Sequence, residues 1–174
     1  MFVGFFVDVS RATDSATQNM FTVHFLLALA TSVVVLFQNG VVVTYFIGTS
    51  RWCREVVATY RLAPALAAES DRLKRQTFPF SAANMLLVVA LVSLGAAADP
   101  ATAVPTIGGV RWADIHLVGV LAALVFMAYA TFVQWENIRA HQQVIETILD
   151  RVRTIRASRG LDQDVARQVV NSND

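Results

Sequence analysis

A chain of 174 residues that is 55% hydrophobic and only 16% charged is too apolar for an ordinary soluble domain. Its net charge of +1 hides an uneven distribution of Lys and Arg, and its single cysteine, Cys53, excludes an internal disulfide framework. Three stretches lack any charged residue: Phe21–Ser50, Gln76–Ala98 and Ile115–Trp135. Each is at least as long as the roughly 20 apolar residues a helix needs to cross a bilayer core. In lipid every backbone N–H and C=O must be paired within its own segment, so each should be helical. The expected fold class is all-α: an integral membrane bundle of three transmembrane helices, with helices 1 and 3 extended into a cytoplasmic helical stem.

Residues 1–18 come first. The run Met1–Val9 is apolar but lacks a basic leader region and is interrupted by Asp8. It reads as an interfacial segment on the outer leaflet, anchored by Phe2, Phe5 and Phe6, rather than a signal peptide. The first span is expected over 19–50. Along it His24, Thr31, Gln38 and Tyr45 recur every seven residues, with Ala28, Val35 and Val42 between them. Polar groups avoid lipid, so this face should point into a protein interior.

Residues 51–77 form the expected cytoplasmic helical loop. Val56, Val57 and Tyr60 can extend the first helix, and Pro64 is well placed to start a second, with Leu66 and Leu73 on one face. Cys53 sits among Arg51, Trp52 and Arg54, whose charge would lower a thiol pKa; it is read as a small filler residue near a helix end. The step Phe78-Pro79 marks a kink or restart. The second span, 78–98, carries Ser81, Asn84 and Ser93, with small residues Ala82, Ala90 and Gly95 that permit close helix approach. An irregular outer loop is expected over 99–112, from Pro100, Pro105 and Gly108-Gly109.

The third span, 113–135, presents His116, Val120, Ala123, Met127, Ala130 and Gln134 on one face. Beyond it, over 136–159, Ile138, His141, Ile145, Ile148, Val152 and Ile155 follow alternating steps of three and four. That is the seam of a coiled coil, and it predicts self-association through this amphipathic helix. His141 would set register within the seam, or sense pH by charging it. Gly160 should end the helix near Ser158. A helix from about Asp114 to Ser158 is on the order of 65 Å long, so roughly half would lie outside the membrane. Residues 160–174 read as a flexible tail.

Orientation follows from the basic residues. Arg51, Arg54, Arg61, Arg72, Lys74 and Arg75 precede the second span, and Arg139, Arg151, Arg153, Arg156, Arg159 and Arg167 follow the third. The opposite side has Arg11 and Arg111 with Asp8, Asp14, Asp99 and Asp114. The positive-inside rule then puts the N-terminus outside and the C-terminus in the cytoplasm, as a multi-pass protein of the cell inner (plasma) membrane. Trp52 and Trp135 at the inner boundary and Trp112 at the outer one suit that placement.

Function is sought in the buried polar residues. The leading reading is a non-catalytic structural or accessory subunit, partnered by the lipid bilayer, further copies of itself or other membrane subunits. Its interior polar face would comprise Thr31, Gln38, Tyr45, Asn84 and Gln134, joining helices by hydrogen bonds. An alternative is a b-type haem carrier: His24 and His116 lie at similar depth near the outer side, and neutral imidazoles serve as axial ligands. Ala28 and Ala123 would leave room for the macrocycle. Arg72, Lys74 and Arg75 can attract anionic lipid, whereas the charges are too dispersed and interleaved with acids for nucleic acid.

The topology, with its outside N-terminus, inner basic segment, short outer hairpin and long final cytoplasmic helix, is similar to that of proton-driven stator proteins. That likeness implies an ion-conducting subunit. The inner loop here is shorter, Thr131 alone stands for the Gly- and Thr-rich signatures, and the spans hold no acidic proton carrier. No nucleotide, metalloprotease, serine-hydrolase or dinucleotide motif is present, so no enzyme activity and no soluble small-molecule substrate is expected.

Overall fold

The computed structural model describes residues 15–99 and 106–160. Three long helices dominate them: α1 (Ser15–Tyr60), α2 (Pro64–Ala97) and α3 (Trp112–Ser158), with strands β1 (Thr106–Ile107) and β2 (Val110–Arg111) between α2 and α3. All three helices are long and apolar enough to cross a membrane. The expected interfacial segment at Phe2, Phe5 and Phe6, and the tail from Leu161, lie outside the described residues.

Helix α1 continues past Ser50 to Tyr60 and ends in a Schellman motif. The Leu62 N–H reaches the Val57 carbonyl at 2.9 Å and the Arg61 N–H reaches that of Ala58 at 3.3 Å. Leu62 also packs against the apolar cluster that contains Val57. Arg61, at φ 53°, occupies the left-handed position that glycine normally fills. Arg61→Gly should therefore raise thermal stability by about 0.5–1 kcal/mol, read as a higher midpoint in circular dichroism.

Pro64 opens α2, where its missing N–H costs nothing. Pro79 lies inside this helix without ending it, so the expected restart at Phe78-Pro79 does not occur. Neighbouring contacts support the turn that proline weakens. Thr77 donates to the Leu73 carbonyl at 2.9 Å and accepts from Asn137 Nδ2 at 3.0 Å.

The connection between α2 and α3 also departs from expectation. Rather than being irregular throughout, it contains an antiparallel hairpin pairing Thr106 with Arg111 and Ile107 with Val110. Gly108 and Gly109 form its turn at φ 56° and 82°, the double positive φ of a type I′ turn. Arg111 then pairs with Asp114 at 2.7 Å as α3 begins. At the far end α3 stops at Ser158, and Gly160 adopts φ 70°, as its sequence position predicts.

The described chain divides into two compact units. One comprises α1 as far as Val43 together with Pro79–Val133; the other begins at Thr44 and takes in the chain to Phe78 and the remainder from Gln134. In the first, Leu91, Val120 and Ala123 form the buried apolar cluster, flanked by Leu87 and Met127. In the second, Cys53, Val57 and Ile148 are buried among Trp52, Leu62, Leu66, Val144, Ile145 and Val152. Burying one such aliphatic side chain from water contributes about 1.5–3 kcal/mol.

Candidate functional site

In the second unit, three helices place polar side chains around His141. Ser50 and Tyr45 come from α1, Ser70 from α2 and His141 from α3. His141, Ser50 and Ser70 are fully buried. The imidazole Nε2 lies 2.7 Å from Ser70 Oγ, and Nδ1 lies 3.2 Å from Tyr45 Oη. Ser70 in turn donates to Ser50 Oγ at 3.0 Å. One neutral tautomer satisfies the chain: Tyr45 O–H donates to Nδ1, and Nε2–H donates to Ser70 Oγ. Phe46 closes one side, its ring centroid 5.1 Å from that of His141. Burial lowers the His141 pKa from the usual histidine range.

Cys53 lies in the adjoining apolar cluster. Burial first, then the nearby Asp71 charge, raise its thiol pKa, against the lowering influences of Ser70 and Arg54. A buried, protonated thiol is inert, which fits its reading as a filler residue. Outside the cluster, Asp71 bridges Arg54 at 2.6 Å and Lys74 at 2.7 Å. The Lys74 hydrogen bond, with help from Arg54, holds the Asp71 carboxyl below its ordinary range. These pairs reach solvent and contribute little to stability.

The heptad seam assigned to a second chain is occupied within this one. His141 and Ile148 are fully buried, and Ile145 and Val152 pack on the chain's own Cys53–Val57–Ile148 cluster. Ile138 and Ile155 are half-buried. The middle of the seam, His141 to Val152, is therefore packed on α1 and α2 of the same chain, as the helical loop expected over 51–77 allows.

In the first unit, Asn84 donates through Nδ2 to Asn39 Oδ1 at 3.4 Å, while Asn39 donates to the Val35 carbonyl at 2.8 Å. Asn39 was absent from the expected polar face. Thr31 and Gln38, which were assigned to it, are exposed, Tyr45 is half-buried, and Asn84 and Gln134 are buried. The buried face of α1 runs through Asn39, Val42, Phe46, Ser50, Cys53 and Val57. Its steps of three and four keep to the roughly 3.6-residue turn of a straight helix, whereas an exact heptad drifts about 20° per repeat around it. At about 100° per residue, Gln38 stands about 100° and Thr31 about 80° round the helix from Asn39, beside the buried face rather than on it.

His24 and His116 belong to this same unit. Both are half-buried, and the Nδ1 atom of each is buried without a hydrogen-bond partner. Their imidazoles interact electrostatically. His116 rests on α2 at Gly95, where a Cβ would meet its Cε1 at 3.3 Å. Ala123, read as leaving room for a macrocycle, is only 2% exposed and is filled in by Leu91 and Val120. Gly119 lies just as close to α2, since a Cβ there would touch Leu91 at 3.4 Å and Leu94 at 3.5 Å. Among the described residues no group of three or more His, Cys, Asp or Glu is placed to hold a metal ion.

No known protein family, characterised protein or solved structure matches this chain.

Proposed function

We propose that this chain is a non-catalytic membrane subunit that self-associates within the bilayer through α1, in the plasma (inner) membrane. The basic residues of 51–77 and 136–159 then face the cytoplasm and the β1–β2 hairpin lies outside. The observation that carries this reading is the state of α1. None of its most apolar stretch is buried, against 22% and 17% of the corresponding stretches of α2 and α3.

Exposed Val34 and Val41 share one stripe of α1 with Thr31 and Gln38. Lipid alone satisfies the valines, but it leaves the Gln38 amide without donors or acceptors. A carboxamide is both donor and acceptor, so the same residue on a second copy is its natural complement. This moves the route of self-association from the Ile138–Ile155 seam, which the chain itself covers, to the first span.

Gln38→Leu should weaken self-association by about 1 kcal/mol, roughly fivefold in the dissociation constant, measured by energy transfer between labelled copies in liposomes. An unchanged dissociation constant would remove the amide from the contact. Mixed assemblies that exclude labelled self-pairs would point instead to a different membrane subunit.

A further inference from the structure

Buried imidazole nitrogens are rarely left without a partner, because each forgoes its hydrogen bonds to water and receives nothing in return. His24 Nδ1 and His116 Nδ1 are two such atoms, presented by different helices of one unit and close enough for their imidazoles to interact electrostatically. Two unpartnered imidazole nitrogens in one unit invite an electron-pair acceptor. A metal ion bound between two neutral imidazoles answers both vacancies at once.

The surroundings select the kind of metal. Among the described residues no third His, Cys or carboxylate joins the pair. A divalent ion would bring twice the charge into an apolar setting with no carboxylate to offset it, and the solvation cost rises with the square of that charge. Zinc sites also ordinarily use three or four protein ligands. Copper(I) carries one charge, accepts two ligands in a line and binds imidazole and thioether donors. Met20 lies one turn before His24 on α1, hence on the same face, and is 42% exposed. Its thioether is the soft donor nearest in sequence to this pair.

Gly95 gives the arrangement a positional constraint. The His116 ring turns its Cε1 edge toward α2, with Nδ1 at 3.7 Å and Nε2 at 3.8 Å from where a Gly95 Cβ would stand. A Cβ there would press on the ring and shift it by a few tenths of an ångström. His116 is in the second turn of α3, just after the β1–β2 hairpin, and His24 is in the third turn of α1. We infer that His24 and His116 form a binding site for a single copper(I) ion near the outer membrane surface, with Gly95 positioning the His116 ring and Met20 available as an additional thioether donor.

The test uses the full chain in nanodiscs, titrated anaerobically with copper(I) in competition with bicinchoninate. One equivalent per chain should be withdrawn from the chelator. His24→Ala and His116→Ala should each weaken binding by at least about 100-fold, and Gly95→Ala by on the order of tenfold. Circular dichroism confirms that each variant keeps its helices. X-ray absorption of the loaded protein should show nitrogen scatterers from two imidazoles, a signature that a merely structural histidine pair would not produce.

Failure of the native chain to compete would overturn the inference, as would equal affinity in the His24→Ala, His116→Ala double variant. Retention of zinc(II) but not copper(I) would overturn the choice of metal. A Soret shift with hemin that disappears in His24→Ala would replace the ion with haem. Gln38→Leu should leave copper uptake unchanged while weakening self-association, so failure of this site and failure of the proposed association remain distinguishable.

Discussion

Replacing His141 with leucine should lower stability by about 2–4 kcal/mol and abolish part of the pH dependence of unfolding. The two effects share one cause. Leucine matches the volume of imidazole closely enough to avoid a large cavity, but it takes a buried partner from the hydroxyls of Tyr45 and Ser70, leaving Ser70 its bond to Ser50. In the native chain those hydroxyls fix a neutral tautomer. A second proton on the ring would turn Nδ1 from acceptor to donor and leave the Tyr45 O–H pointing at nothing. Around the ring, α1 contributes Tyr45, Phe46 and Ser50, with Cys53 the neighbouring titratable thiol, and α2 contributes Ser70; no carboxylate is hydrogen-bonded to it.

The sign of the pH effect follows from burial. Because the folded pKa is depressed, the unfolded chain binds the proton more readily. The stability is complete above the unfolded histidine value of about 6.5 and is lost as pH falls below it, at up to about 1.4 kcal/mol per pH unit. The His141 share is the difference between native and His141→Leu melting curves from pH 5 to 8. Identical slopes would show that His141 keeps its proton affinity on folding.

Ile148→Ala is expected to cost about 3 kcal/mol of stability and to leave the oligomeric state unchanged. Ile148 is fully buried with Cys53 and Val57, and truncating it opens a cavity that two packed helices close only in part. The same substitution would act differently on an intermolecular coiled coil, where it would dissociate chains before it unfolded them. Thermal unfolding and light scattering on one sample separate the outcomes. A shift to smaller particles without a lower melting temperature would return the seam to a role between chains.

The sequence was most informative where a single residue type has one dominant physical consequence. Charge-free stretches marked three helices, Pro64 marked a helix start, and Gly160 marked a stop after Ser158. Arg61 carried no such mark. Its left-handed conformation is imposed by Leu62 packing on the Val57 cluster, a tertiary contact that local propensity does not anticipate. Pro79 differs in the opposite sense, since α2 runs through a strong local breaker without restarting. Gly108-Gly109 was seen but under-read, because two consecutive glycines encode a type I′ turn as readily as a loop.

For the candidate site, the chemistry was more legible than the geometry. His24, His116 and His141 stood out by type, yet their different roles depended on partners. His141 finds two hydroxyls supplied by other helices, whereas His24 and His116 each retain an unpaired nitrogen. No spacing rule within one helix predicts which hydroxyl an adjacent helix will offer. Gln38 and Asn39 are adjacent in sequence yet about 100° apart round the helix, so only one of the two amides can face inward.

The small hairpin between α2 and α3 bears on how such a chain enters a membrane. Arg111, the basic residue of this connection, is neutralised by Asp114 at 2.7 Å, and the two-glycine turn is short. Carrying an isolated cation across the hydrocarbon is expensive, whereas a compensated pair on a compact turn lowers that barrier. On the proposed topology, α2 and α3 are thus suited to cross together as a preformed helical hairpin. Removing Asp114 would then slow biogenesis before it disturbed the mature fold.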